Sequence, residues 1–194
     1  MNIILIDINR EMTSNWNIEF SYTDFENVKI VNDEFSHFMK YNKVDYVISP
    51  ANSFGLMDGG YDKAIINYFG NDLQKAVQDY IIENYFGEQP IGSSFIIDIP
   101  NSNGKKLIHT PTMQTPSIIK DPMIVYTCFR STLICALKNL NKDSTILIPV
   151  FGGCTGRVPY RTIAKYMKIA YFNTIHHPIE LNWDYALYLK NILN

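Results

Sequence analysis

The chain has 194 residues, 46% of them hydrophobic and 13% aromatic, which is enough to bury a sizeable core and points to one domain spanning 1–194. Its formal net charge of −2 argues against a broad nucleic-acid surface. No apolar run approaches bilayer-spanning length, and the segment MNIILIDINREM carries acid and amide groups too early for a signal peptide, so no membrane partner is expected.

Residues 3–8 (IILIDI) read as a first buried strand, and 28–32 (VKIVN) as a second. Between them Trp16 and Phe20 fall at helical spacing. A short helix is expected over 34–41 and a strand over 45–49. Ala64, Ile65, Tyr68 and Phe69 recur at three and four residues, as do Leu73, Ala76, Val77, Tyr80 and Ile81, predicting helices over 60–69 and 72–86 with Gly87 as a stop and Asn71 as a cap. Strands follow over 94–99 and 106–110, joined by an Asn-Ser-Asn-Gly turn signal that makes the sheet mixed. A long helix over 122–139 starts near Pro122, Thr145–Val150 is a strand, and Pro159 opens a helix to about Phe172. Residues 183–193 form a closing helix. Strands alternating with helices imply a three-layer α/β/α sandwich.

The three cysteines lack paired spacing, which fits a reducing, cytoplasmic setting better than a disulfide framework. No Cys/His group has zinc-like spacing, and neither metal nor cofactor is expected.

Two Gly-rich loops each join a buried strand to a helix. Loop one is Asn52-Ser53-Phe54-Gly55-Leu56-Met57-Asp58-Gly59-Gly60, and loop two is Phe151-Gly152-Gly153-Cys154-Thr155-Gly156-Arg157. Consecutive backbone N–H groups form an anion nest, and a helix N-terminus adds positive potential. Two such loops facing each other can grip a diphosphate. Neither matches a P-loop or a Gly-x-Gly-x-x-Gly fingerprint.

Residues 44–65 resemble the signature of the macrodomain family: a strand, an Ala-Asn loop, Gly-Gly, an apolar residue, Asp and a helix. Val150–Pro159 is similar to that family's second phosphate loop, and Ile108-His109-Thr110-Pro111 to the strand between them. The resemblance covers most of residues 28–172, with specific motifs in the two loops. It implies an α/β/α sandwich that binds ADP-ribose or a conjugate, with hydrolysis at the distal ribose in some members. It implies that Asn52 contacts the distal ribose, that Gly59, Gly60 and Tyr61 line the diphosphate and that ribose, and that Gly152, Gly153, Cys154, Thr155 and Gly156 wrap the phosphates. Asp58 joins the candidate contacts at a position where glycine is common, and Arg157 suits a phosphate. An acid after an early strand accepts from the adenine amino group. Asp33 is the better match and Asp7 the second, each with a helix cap as its structural alternative. Asp62 matches the acid that hydrolytic members use to orient or deprotonate water, although an acid in a first helical turn is also favoured electrostatically.

The motif begins Ser49-Pro50-Ala51-Asn52 where the family often has Asn-Ala-Ala-Asn, and Tyr61 is bulkier than the usual aliphatic. These departures lie on the distal-ribose side and bear on hydrolysis more than on binding. A non-catalytic reader or sponge of an ADP-ribose signal is therefore one alternative. Gly152-Gly153-Cys154-Thr155-Gly156 also fits a Cys-nucleophile elbow with His176 or His177 as base, although too little chain follows for that fold. A methyltransferase-like nucleotide fold ranks lower, because no Gly-rich turn follows the first strand.

Overall fold

Parallel strands with continuous apolar sequence must be covered on both faces, and this chain does so with helices on each side of one sheet. The computed structural model describes residues 1–21 and 25–193. The strands are β1 (Asn2–Asp7), β2 (Val28–Asn32), β3 (Tyr46–Ser49), β4 (Phe95–Asp98), β5 (Lys106–His109) and β6 (Thr145–Pro149). The helices are α1 (Arg10–Glu19), α2 (Phe35–Tyr41), α3 (Gly60–Phe69), α4 (Asp72–Tyr85), α5 (Met123–Asn139), α6 (Tyr160–Ile175) and α7 (Trp183–Leu193).

The six strands form one sheet in the order β2-β1-β6-β3-β5-β4. All neighbours are parallel except β4 and β5, which run antiparallel across a turn where Asn101, Asn103 and Gly104 have positive φ. The expected mixed sheet is thus present. Strand β6 lies between β1 and β3, with Ile146 opposite both Ile3 and Tyr46. Asp7, Pro149, Ser49 and His109 therefore end four parallel strands on one edge of the sheet.

Side chains alternate across the pleat. Ile3, Leu5, Ile48, Ile108, Ile146 and Ile148 pack against α1, α5 and α6. Ile6, Val47, Leu107 and Leu147 pack against α2, α3 and α4. On the first face Trp16 Nε1 donates to Met167 Sδ at 3.3 Å, tying α1 to α6. The result is the expected α/β/α sandwich.

Helix ends follow from local chemistry, with two substitutions of part. Asn9 caps α1 and Glu34 caps α2 through their side chains, so neither Asp7 nor Asp33 is the capping residue. Asn71 holds the cap position of α4 without a side-chain hydrogen bond. That helix closes at Phe86 and Gly87, both left-handed, where the Gly87 N–H returns to Ile81 O. Helix α7 buries no side chain fully. No helix among the described residues is long and apolar enough to cross a membrane.

Candidate functional site

Loop one leaves β3 and enters α3, and loop two leaves β6 and enters α6. Since β3 and β6 are adjacent and parallel, both loops open on the same edge of the sheet. Between them is a cavity of about 240 Å³.

Loop one is braced by its own asparagine. Asn52 Oδ1 accepts from the N–H groups of Phe54 and Leu56 at 3.1 and 3.2 Å, and its Nδ2 donates to Leu56 O at 2.7 Å. An amide nitrogen carries two hydrogens, so one remains for a ligand. Helix α4 supports the loop from behind, where Gln74 Oε1 accepts from Met57 N–H at 2.9 Å. At Gly55 (φ +63°) a Cβ would meet Val77 Cγ1 at 2.6 Å, so the backbone lies directly on that helix.

Loop two folds on itself. Val158 N–H donates to Gly152 O at 3.1 Å, and Arg157 N–H to Cys154 O at 3.2 Å. A Cβ at Gly156 would stand 2.6 Å from Gly152 O, so the turn closes only with hydrogen there. The N–H groups of Gly153, Thr155 and Gly156 take no acceptor among the described residues, and those of Gly60, Tyr61 and Asp62 are first-turn amides, which no helix satisfies internally. Both loops thus line the cavity with residues whose N–H groups are unclaimed among the described residues.

A third segment joins them. Ala51 N–H donates to Thr110 O, Thr112 N–H to Ala51 O, and Ser53 N–H to Met113 O, while Ile119 N–H donates to Gly156 O at 2.9 Å. Residues 110–119 therefore stitch loop one to loop two, and Thr112, Met113 and Pro116 form the remaining wall. Sequence reasoning overlooked this wall. The only signal was the resemblance of Ile108-His109-Thr110-Pro111, which stops just short of it.

Of the expected site residues, Asn52, Asp58, Gly59, Gly60, Tyr61 and Asp62 line the cavity from loop one and the start of α3. Gly152, Gly153, Cys154, Thr155 and Gly156 line it from loop two. Arg157, Asp33 and the second adenine candidate, Asp7, do not. Arg157 is exposed in a left-handed conformation. Asp33 follows edge strand β2, and its carboxylate is held 2.8 Å from His37 Nδ1, whose hydrogen bond keeps the acid below the usual carboxylate range. Asp7 ends β1, directly beside β6, and accepts from Asn9 N–H at 2.7 Å, while burial raises its pKa.

Asp62 is buried, at 8% exposure, yet lines the cavity. Ser49 Oγ donates to its Oδ1 at 2.7 Å. Burial pushes its carboxyl up to about 6; the Ser49 hydrogen bond opposes the rise and the charge of Asp58 adds to it. The Tyr61 hydroxyl is buried without a hydrogen-bond partner among the described residues, and its ring meets Phe35 edge-on at 5.2 Å. His109 is a core residue: Nδ1 lies 2.6 Å from Gln89 Oε1, the ring stacks on Phe95, and burial lowers its pKa to about 3.

Cys154 is exposed in loop two. The histidines offered as its base stand at the opposite end of α6, which spans sixteen residues and so roughly 24 Å. A Cys154–His176 or Cys154–His177 couple is therefore out of reach. Among the described residues, no group of three or more His, Cys, Asp or Glu side chains gathers as a metal site.

The model of the Macro domain matches residues 48–167, which contain both loops. An uncharacterized protein of Aquifex aeolicus (strain VF5) is 32% identical over 124 residues, covering 63% of this chain and 70% of its own. Among solved structures, a point mutant of the Oceanobacillus iheyensis macrodomain with ADPR superposes with a TM-score of 0.57 at 21% identity, covering 79% of this chain and 87% of that one. The macrodomain of Mycobacterium tuberculosis DarG gives 0.56 at 19% identity, covering 70% and 85%. With the family model spanning more than half its length, the chain belongs to the macrodomain family.

Proposed function

We propose that this protein binds ADP-ribose, or a conjugate of it, with the diphosphate between loop one and loop two, and hydrolyses the bond at the distal ribose. The observation that carries the reading is the pair of Gly-rich loops at the ends of adjacent parallel strands, lining one cavity with unclaimed backbone donors. Such donors neutralise a diphosphate without a metal. The Oceanobacillus iheyensis macrodomain, with ADPR, has the same fold.

In this reading Asp7 accepts from the adenine amino group, in place of Asp33. Neither acid lines the cavity itself, but Asp7 ends the strand beside the one that carries loop two, whereas Asp33 follows the edge strand and is held by His37. Asp62 is fixed by Ser49 through one oxygen and uses the other to orient and deprotonate water at the anomeric carbon. A carboxyl titrating near 6 is ionised at neutral pH and basic enough to take that proton.

The alternative is a reader without turnover, favoured by the Ser49 bond that already occupies Asp62 Oδ1. Calorimetry with ADP-ribose, AMP and NAD tests binding. Heat with ADP-ribose well above that with AMP supports the reading, and no heat with ADP-ribose defeats it. Release of free ADP-ribose from a modified protein, lost in Asp62→Asn, separates hydrolase from reader.

A further inference from the structure

The cavity wall has charge of only one sign. Asp58 and Asp62 line it four residues apart, and no lysine, arginine or histidine lines it among the described residues. Asp58 is exposed at the rim, while Asp62 is more than nine-tenths buried. Ser49 Oγ engages Asp62 Oδ1, and Oδ2 accepts no hydrogen bond among the described residues. Backbone amides suffice for a diphosphate, but two carboxylates beside one add repulsion unless the ligand brings positive charge with it. The field of Asp58 already disfavours the charged form of Asp62, so a cation between them relieves a cost that the pair itself carries.

We infer that the conjugate taken by this site is ADP-ribose joined at its distal ribose to a guanidinium, and that Asp58 is the residue that selects it. The inference rests on the ADP-ribose reading above. A guanidinium is planar, stays charged and presents paired N–H donors that match a carboxylate. An ether or ester oxygen at the same carbon brings no charge and gains nothing from Asp58. In the reading above Asp62 stands at the anomeric carbon, and Asp58 lines the same wall with its charge acting on Asp62, so Asp58 is placed to meet the group attached there.

The chemistry balances without a further reactant. Water oxygen bonds to the anomeric carbon as the C–N bond breaks, and the electron pair of that bond stays on nitrogen. The proton that water gives to Asp62 ends on the departing nitrogen, so the guanidinium leaves with the charge it carried in.

The test is competition against fluorescent ADP-ribose, read within seconds of mixing so that turnover does not deplete the competitor. The competitors are one peptide ADP-ribosylated on arginine and its counterpart ADP-ribosylated on serine. The wild-type protein should bind the arginine-linked peptide about tenfold more tightly than the serine-linked one, the scale of a charge-assisted hydrogen bond. Asp58→Asn should erase the preference and Asp58→Glu should restore part of it. Equal competition in the wild type, or a preference that survives in Asp58→Asn, overturns the inference while leaving ADP-ribose binding intact. Failure of unlabelled ADP-ribose to compete overturns the underlying reading as well.

Discussion

A buried carboxylate held by one hydroxyl carries most of the chemistry assigned to this site, and its ionisation has two separable consequences. Asp62 titrates near 6 in the folded chain and near 4 in the unfolded one, so the folded state holds its proton more tightly. Between those values, rising pH withdraws about 3 kcal/mol of stability, because the fold must then bury the charge. Asp62→Asn lacks this loss, so its stability relative to wild type should rise across that window, as denaturant titrations at several pH values will show. Activity runs the opposite way. Turnover by the wild type should climb through pH 6 to a plateau, and Asp62→Asn should be slower by about 10²–10⁴ with no such limb. The placement of Asp62 and Asn52 in the cavity wall was legible because a first-turn acid and a loop asparagine follow a buried strand at recognisable spacing. The brace that Asn52 gives its own loop was not, since the partners of an amide side chain depend on how the loop closes.

At the scale of elements, loop two is set by backbone packing. Gly156→Ala drives a Cβ against Gly152 O and Ile119 Cδ1, at 2.6 and 2.7 Å, and must open the turn that holds the unclaimed N–H groups of loop two in the cavity wall. ADP-ribose affinity should fall at least about tenfold while the rest of the fold persists, measured by calorimetry alongside circular dichroism. Gly59→Ala is the contrast, because nothing lies within 4 Å of its added carbon. A buried polar clip holds the approach to β4. Gln89 is fully buried, meets His109 Nδ1, and donates to Ser93 O and Ser93 Oγ, each at 3.1 Å. Gln89→Ala leaves the imidazole without its partner and should cost about 2–3 kcal/mol in chemical denaturation. The helices and strands themselves read clearly from apolar period and from the Asn-Ser-Asn-Gly turn. The wall of residues 110–119 did not, because an irregular segment has no period and declares itself only through what it pairs with.

For the whole molecule, strand order decides which side chains meet. β6 enters the sheet last yet lies between β1 and β3, and that insertion brings loop two beside loop one. Asp33 and Asp7 look alike in sequence, each an acid just past an apolar run. Only the crossover that leaves β2 at the edge and β1 next to β6 separates them, and no local pattern encodes it. Leu147 sits at the centre of that arrangement, fully buried opposite both Ile4 and Val47. Leu147→Ala should cost about 2–5 kcal/mol in global stability, detected as a lower denaturation midpoint with an unchanged slope.

The three cysteines differ sharply in access: Cys128 is buried with its thiol pushed up to about 12, Cys135 is half-buried, and Cys154 stands open on loop two. A maleimide dye at limiting dose will therefore label one place, the lip of the cavity. Quenching or brightening of that single fluorophore gives a direct optical titration of whatever enters.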